Sequence, residues 1–115
     1  MTKIVIFAFL ADPERMYHAL LNVIDLEENG LWGEIVFEGE STRLIPEMAQ
    51  PDHYLHHLYE QAKARGLLWG ACQACAEKNK ITQQIAAENI PLVGEMSGHP
   101  PMSHFVKQDY SILTF

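Results

Sequence analysis

The stretch Lys3-Ile-Val-Ile-Phe-Ala-Phe-Leu10 indicates the fold class, because it is a continuous apolar run rich in branched and aromatic residues. Such a run is typical of a strand that is covered on both faces, as the strands of a parallel sheet are. Asp12 can cap a following helix, and Pro13 suits its first position. Apolar residues then recur at helical spacing: Met16, Ala19, Leu20, Val23 and Ile24. The chain therefore begins with a buried strand, which we expect to be the central one, and a helix that ends before Gly30.

Strands and helical segments alternate along the rest of the chain. Four further strands are predicted, at residues 33–37, 67–71, 92–96 and 110–115. The predicted helical segments are a brief piece ending near Pro46, a helix from Pro51 to a stop at Gly66, a helix that Cys72 opens, and helices at residues 82–88 and 102–108. This alternation implies parallel pairing, right-handed crossovers and helices on both sheet faces. We predict a single domain, residues 1–115, folded as a three-layer α/β/α sandwich around a mostly parallel sheet of about five strands.

Composition excludes several functional classes. The 115 residues include 15 acidic and 8 basic side chains, and the resulting net charge of -7 repels nucleic-acid phosphates and anionic lipids. No apolar stretch approaches the roughly 20 residues needed to cross a bilayer. The first strand is short and breaks at Asp12 without a cleavage site for a signal peptide. We expect a soluble, cytoplasmic protein that binds neither nucleic acid nor membrane.

Several candidate site residues follow the predicted strands, because ligands of parallel α/β sheets bind where the strands end and the loops meet. Gly39, Ser41 and Thr42 follow the second strand and could bind an anion through backbone N–H groups and hydroxyls. Asp12 follows the first strand. These four residues are the candidate substrate-binding residues.

The two cysteines of the chain, Cys72 and Cys75, lie together after the third strand. The dipole of a helix favours a thiolate at its N-terminus, and the three-residue spacing would let Cys75 resolve a disulfide or persulfide formed on Cys72. His99 follows the fourth strand and could exchange a proton with Cys72 if the two loops meet. Cys72, Cys75 and His99 are therefore the candidate catalytic residues.

Inert packing and metal binding are two alternative roles for the cysteine pair. Small cysteines that pack a helix against a sheet have the same appearance in sequence. One Cys-x-x-Cys pair is also half of a tetrahedral zinc site, which His99 or His104 could complete. No second tight ligand pair is present, and we assign no metal and no cofactor. A histidine group in the preceding helix is typical of a solvated polar face: His53, His56 and His57.

The segment Gly66-Leu-Leu-Trp-Gly-Ala-Cys-Gln-Ala-Cys-Ala76 resembles the strand and Cys-x-x-Cys element of the DsrE/DsrF-like family, including its YchN-like branch. The resemblance extends over nearly the whole chain, through the first strand and helix, the turn at Glu38 and Gly39, and the final helix and strand. It implies an α/β/α subunit that assembles into trimers or hexamers and, in several members, a cysteine that carries sulfur as a persulfide. By this resemblance Cys72 matches the sulfur-accepting position and Cys75 the second cysteine.

The leading functional hypothesis is a sulfur carrier or sulfurtransferase-type protein that relays sulfane sulfur, as a persulfide on Cys72, between donor and acceptor proteins. A close alternative is a dithiol redox module that cycles through a disulfide between Cys72 and Cys75. An alternative of a different class is a non-catalytic, oligomeric binding or scaffold protein whose cysteines only pack.

Overall fold

Five parallel strands form one sheet in the computed structural model, which describes residues 1–115. The strands are β1 (Lys3–Ala8), β2 (Trp32–Phe37), β3 (Leu68–Cys72), β4 (Leu92–Val93) and β5 (Ser111–Thr114). Their order across the sheet is β4, β3, β2, β1, β5, and every neighbouring pair is parallel. The predicted α/β class with a parallel, five-stranded sheet is therefore confirmed.

Helices connect consecutive strands. They are α1 (Pro13–Glu28), α2 (Leu44–Met48), α3 (His56–Ala64), α4 (Gln73–Lys78), α5 (Thr82–Ala87) and α6 (Met102–Val106), with a 3-10 turn (Gly39–Arg43) before α2. Asp12 caps α1 as predicted, because its carboxylate accepts the backbone N–H of Glu14 (3.0 Å). The longest helix, α1, has 16 residues. No helix of the structure has both the length and the apolar character that a membrane span requires.

The two faces of the sheet are covered unequally. One face carries the main core, in which residues of α1 to α5 pack with Ile6, Ala8, Ile35 and Phe37 of the strands. The helical members of this core are Met16, Ala19, Leu20, Val23, Ile24, Leu44, Ile45, Met48, Tyr59, Ala62, Ala76 and Ile85. The opposite face carries a smaller cluster, to which only α6 contributes a helical residue, Phe105. Both helical layers are present, but the second is a single short helix.

β1 is an interior strand rather than the central one. It pairs with β2 on one side and with β5 on the other, so that β2 occupies the middle of the sheet. Val5, Ile6 and Phe7 are at most 1% exposed, as expected of a strand with cover on both faces. The prediction that β1 is the central strand was wrong, because an apolar run indicates an interior strand but does not reveal how many strands lie on each side of it. β1 also ends at Ala8, and the predicted last residue, Leu10, is exposed.

Helix α3 begins at His56 rather than at Pro51. Turns occupy residues 51–55, and the backbone N–H of Leu55 donates to Nδ1 of His53 (3.1 Å). This side-chain acceptor competes with the helical pattern and delays the start of the helix. Nδ1 of His56 lies 2.8 Å from the carbonyl oxygen of Met48. Two of the three histidines predicted on a solvated face therefore have backbone partners.

The hydroxyl of Tyr59 links α3 to the segment after α5. Tyr59 is fully buried, its hydroxyl donates to Oε1 of Glu88 (2.7 Å), and Nζ of Lys63 donates to the same oxygen (2.9 Å). Burial alone would raise the pKa of Glu88, but these two donors hold that pKa below its ordinary value. The carboxylate therefore adds stability that is present above pH 4.5, its ordinary pKa, and is lost as the pH falls through the lower pKa of the folded state.

We expect Tyr59→Phe to lower the free energy of unfolding at neutral pH by about 1.5–2 kcal/mol, because the partly buried carboxylate of Glu88 loses a donor. Urea unfolding followed by circular dichroism measures this difference. Tyr54→Phe is the matched control, since Tyr54 is 67% exposed. The difference from the wild type should shrink in acid, once Glu88 is protonated. Equal effects of the two substitutions would contradict a stabilising role for this bond.

Candidate functional site

Cys72 lies at the junction of β3 and α4. It is the last residue of β3, and its extended backbone (φ -63°, ψ 120°) makes it the residue that precedes the first turn of α4. Its side chain is fully buried beneath the carboxyl edge of the sheet, while Cys75 lies within α4 and is partly exposed. Both thiols therefore lie around the start of this helix, as predicted.

A tight hairpin turn brings His99 to the thiols. Met96 and His99 exchange backbone hydrogen bonds of 2.9 and 3.0 Å, and the two residues between them, Ser97 and Gly98, both have positive φ (50° and 89°). Two consecutive positive φ values are typical of a type I′ turn. The backbone N–H of Ala74 donates to the carbonyl of Gly98 (2.8 Å), which ties the turn to α4. β4 consequently ends at Val93 and does not reach Met96 as predicted.

His99 contacts both a thiol and a carboxylate. Its Nδ1 lies 3.1 Å from Sγ of Cys72 and 3.5 Å from Oε2 of Glu38. Sγ of Cys72 also donates to the carbonyl oxygen of Gly98 (3.6 Å). The loop after β4 therefore does meet the loop after β3, and His99 is in position to take a proton from Cys72 or return one.

The backbone of Gly39 contacts the second thiol. Its N–H donates to Sγ of Cys75 (3.1 Å), and its φ of +63° favours glycine. A Cβ atom at this position would lie 3.0 Å from the carbonyl oxygen of Phe9. An N–H group aimed at sulfur stabilises negative charge there. The partly exposed thiol of the pair, Cys75, is therefore the one whose thiolate a backbone donor supports.

Burial controls the protonation of Cys72 and Glu38. Burial, followed by the contact with Cys75, raises the pKa of the Cys72 thiol to about 12. Burial also raises the pKa of Glu38, although His99 partly offsets the effect. At neutral pH Cys72 keeps its proton until a neighbouring base removes it, and His99 is the base in contact.

The other predicted site residues lie near this edge of the sheet but have local partners. Ser41 and Thr42 are fully buried. The Ser41 hydroxyl donates to the carbonyls of Ala8 and Glu38, and the Thr42 hydroxyl donates to the carbonyl of Gly39 (2.9 Å). The carboxylate of Asp12 is engaged with the first turn of α1. Of the four predicted substrate-binding residues, only Gly39 contacts the cysteines.

Glu38 is a site residue that was not among the candidates predicted from the sequence. It directly follows β2, and its side chain is largely buried beside His99. A carboxylate placed between an apolar strand and a glycine is the sequence signal that could have found it. In the sequence, Glu38 has the appearance of an ordinary turn residue, and the hydroxyl residues that follow it give the stronger signal for ligand binding.

Three potential metal ligands meet at this site. Sγ of Cys72, Sγ of Cys75 and a ring nitrogen of His99 lie within 4.8 Å of one another, and the structure contains no other such group of three or more His, Cys, Asp or Glu residues. His104, the alternative ligand predicted from the sequence, instead packs at a tilt against Trp69, with ring centroids 5.2 Å apart.

The fold and the site together define a parallel α/β protein with a thiol pair, a histidine and a carboxylate at the carboxyl edge of its sheet. Two solved structures are similar to it. The conserved protein of unknown function BT1422 from Bacteroides thetaiotaomicron is 17% identical, with a TM-score of 0.73 over 98% of this chain and 94% of that chain. The protein of unknown function MTH1491 from Methanobacterium thermoautotrophicum is 14% identical, with a TM-score of 0.70 over 100% of both chains.

No family model matches this chain, and no curated protein matches it. At the identities of the two solved structures, the similarity shows a shared fold and carries no information about the chemistry at the edge of the sheet.

Proposed function

We propose that this protein is a sulfur carrier of the sulfurtransferase type, which relays sulfane sulfur through Cys75 to a persulfide on Cys72. The observation that carries the proposal is the meeting of the chain's two thiols with one base at one edge of the sheet. Cys75 is partly exposed and has a backbone donor, whereas Cys72 is fully buried. A donor can therefore reach Cys75 first, and Cys72 can receive the sulfur only from its neighbour.

The first step loads Cys75. Its thiolate attacks the sulfane sulfur of a donor persulfide, a bond forms between Sγ of Cys75 and that sulfur, and the donor's own S–S bond breaks. The donor leaves as a thiolate, and the N–H of Gly39 stabilises the attacking sulfur before the bond forms. No electrons are gained or lost overall, so the step needs no separate oxidant.

The second step moves the sulfur inward. Cys72 gives its proton to Nδ1 of His99 and attacks the outer sulfur of the Cys75 persulfide. The new S–S bond forms on Cys72, the old bond breaks, and its electron pair stays on Cys75. Glu38 lies 3.5 Å from the same nitrogen and stabilises the resulting imidazolium. An acceptor thiol reverses the sequence and removes the sulfur.

The partners of this reaction are a sulfur donor and an acceptor protein, and we place the protein in the cytoplasm, where thiols stay reduced. We also propose that it assembles into trimers or hexamers. The edge strand β5 supports assembly, because its outer side has no neighbouring strand and Leu113 on it is 46% exposed.

Native mass spectrometry after incubation with glutathione persulfide tests the relay and the assembly together. The wild type should gain the mass of one sulfur atom per subunit, reducible by thiol and located on Cys72 by peptide mapping. Cys75→Ser should load at least about tenfold more slowly, since a buried thiol is then the only target. Cys72→Ser should load at the wild-type rate and retain the sulfur on Cys75.

Full-rate loading of Cys75→Ser would overturn the proposed entry through Cys75. Sulfur that stays on Cys75 in the wild type would overturn the transfer to Cys72. The loss of two hydrogens in place of a sulfur gain would identify the dithiol redox module, because the two sulfurs are near enough to form a disulfide after a small rotation. Absence of any loading would remove sulfur carriage, and a monomer mass would remove the assembly.

A further inference from the structure

We propose that Cys72, Cys75, His99 and Glu38 form a binding site for a zinc ion. These four side chains come from the carboxyl ends of β2, β3 and β4 and the segments that follow them, so the fold, rather than local sequence, brings them together. The zinc site is independent of sulfur carriage, because it rests on the identity and separation of the donor atoms alone.

The separations of the two sulfurs and the ring nitrogen are near those of a tetrahedral site. With zinc bonded to sulfur at about 2.3 Å and to nitrogen or oxygen at about 2.0–2.2 Å, the donor atoms of a tetrahedral site lie about 3.4–3.8 Å apart. Nδ1 of His99 lies 3.1 Å from Sγ of Cys72 and 3.5 Å from Oε2 of Glu38. The two sulfurs and the ring nitrogen fall within 4.8 Å of one another. Shifts of about 1 Å or less would bring the two sulfurs and the ring nitrogen to tetrahedral separations. Glu38 lies beside the ring nitrogen but outside this group of three, so its carboxylate must rotate farther to become the fourth ligand.

The chemistry of the donor set selects zinc over other common divalent ions. Two thiolates and an imidazole are poor ligands for Mg²⁺ or Ca²⁺, which prefer oxygen. A carboxylate is a usual fourth partner for zinc. Binding would release the thiol protons, and three negative ligands would then surround the ion.

The surroundings hold these ligands in place. The N–H of Gly39 donates to Sγ of Cys75, as backbone donors do around ligated thiolates. The hairpin of residues 96–99 is tied to α4 by the bond between Ala74 and Gly98, which fixes the position of the His99 ring. The same thiols would load sulfur, so bound zinc would block the proposed relay.

Titration of the reduced, metal-free protein with zinc against a chromophoric chelator tests the site. We expect one zinc per subunit, and His99→Ala should weaken binding at least about tenfold. His104→Ala is the matched control, because the His104 ring contacts Trp69 and Gln108 and is not among the ligands that meet at the thiols. It should bind zinc as the wild type does.

Cobalt substitution identifies the ligands. The wild type should give the intense visible bands of tetrahedral Co²⁺ with thiolate charge transfer, Cys72→Ser should lose part of the charge transfer, and Glu38→Gln should alter the visible bands while leaving the charge transfer intact. An octahedral spectrum, or equal zinc affinity of His99→Ala and the wild type, would overturn the site. The zinc test and the sulfur-loading test can fail separately. Failure of sulfur loading would change neither the zinc affinities nor the cobalt spectra. Conversely, His99→Ala, which should bind zinc weakly, retains Cys75 and can still accept sulfur there.

Discussion

Iodoacetamide should modify Cys75 at neutral pH at least about a hundredfold faster than Cys72. Cys75 is partly exposed, whereas Cys72 is fully buried and in contact with the carbonyl of Gly98. Because burial raises the pKa of Cys72 to about 12, this thiol keeps its proton at neutral pH. Access and ionisation therefore both act against Cys72.

Two single variants and an unfolded control make this difference measurable. In the presence of a chelator, Cys72→Ser should be labelled as fast as the wild type, and Cys75→Ser should be labelled slowly. In urea both variants should react equally fast, which shows that the difference arises from the fold. Equal labelling of both thiols in the native protein would contradict the proposed order of sulfur transfer. If neither thiol reacts, the cysteines only pack, and a scaffold role becomes the better hypothesis.

The raised pKa of Cys72 also has a consequence for stability. Between pH 9.0, its ordinary value, and about 12, the folded state keeps a proton that the unfolded state has lost. The free energy of unfolding contributed by this thiol is therefore fully present below pH 9.0 and decreases as the pH rises through that interval. Cys72→Ser lacks this thiol, so its stability should decline less over the same interval.

The order of strands and helices could be predicted from the sequence because hydrophobic periodicity is a local property. The apolar run of β1 and the helical spacing after Asp12 each lie within a few consecutive residues. The position of β1 in the sheet is not local, since it depends on where β5 returns near the end of the chain. The start of α3 was missed because a single side chain, His53, accepts a backbone N–H that the pattern assigns to a helix.

The candidate site was predictable to a similar extent. The thiols follow an apolar strand, so their place at the carboxyl edge follows from topology. The sequence predicts that the hydroxyls of Ser41 and Thr42 bind a ligand, because it does not reveal which backbone carbonyls lie beside them. In the structure these hydroxyls donate to backbone carbonyls instead. The partnership of Glu38 with His99 joins residues from two separate loops, and no local pattern contains it.

Gly98→Ala should damage the site far more than its change in size suggests. With φ of +89°, residue 98 has a backbone conformation that costs an L-residue about 1–2 kcal/mol. The added Cβ would lie 3.0 Å from Cβ of Ala74, whose N–H donates to the carbonyl of Gly98. Relief of this contact must stretch the bond that ties the hairpin to α4, and His99 moves with the hairpin.

Gly30→Ala separates backbone strain from displacement of the site. Gly30 has a similar φ of +75°, but a Cβ there would have no atom within 4 Å. Both variants should lose about 1–2 kcal/mol from the backbone, and Gly98→Ala should lose about 1 kcal/mol more from the contact. Only Gly98→Ala should weaken zinc binding, at least about tenfold, because only there does the ring of His99 leave its place beside Cys72. Urea unfolding and the chelator titration measure the two effects separately. Equal zinc affinities in the two variants would show that the hairpin does not position the histidine, and His99 would then have to reach the thiols by its own side-chain rotation.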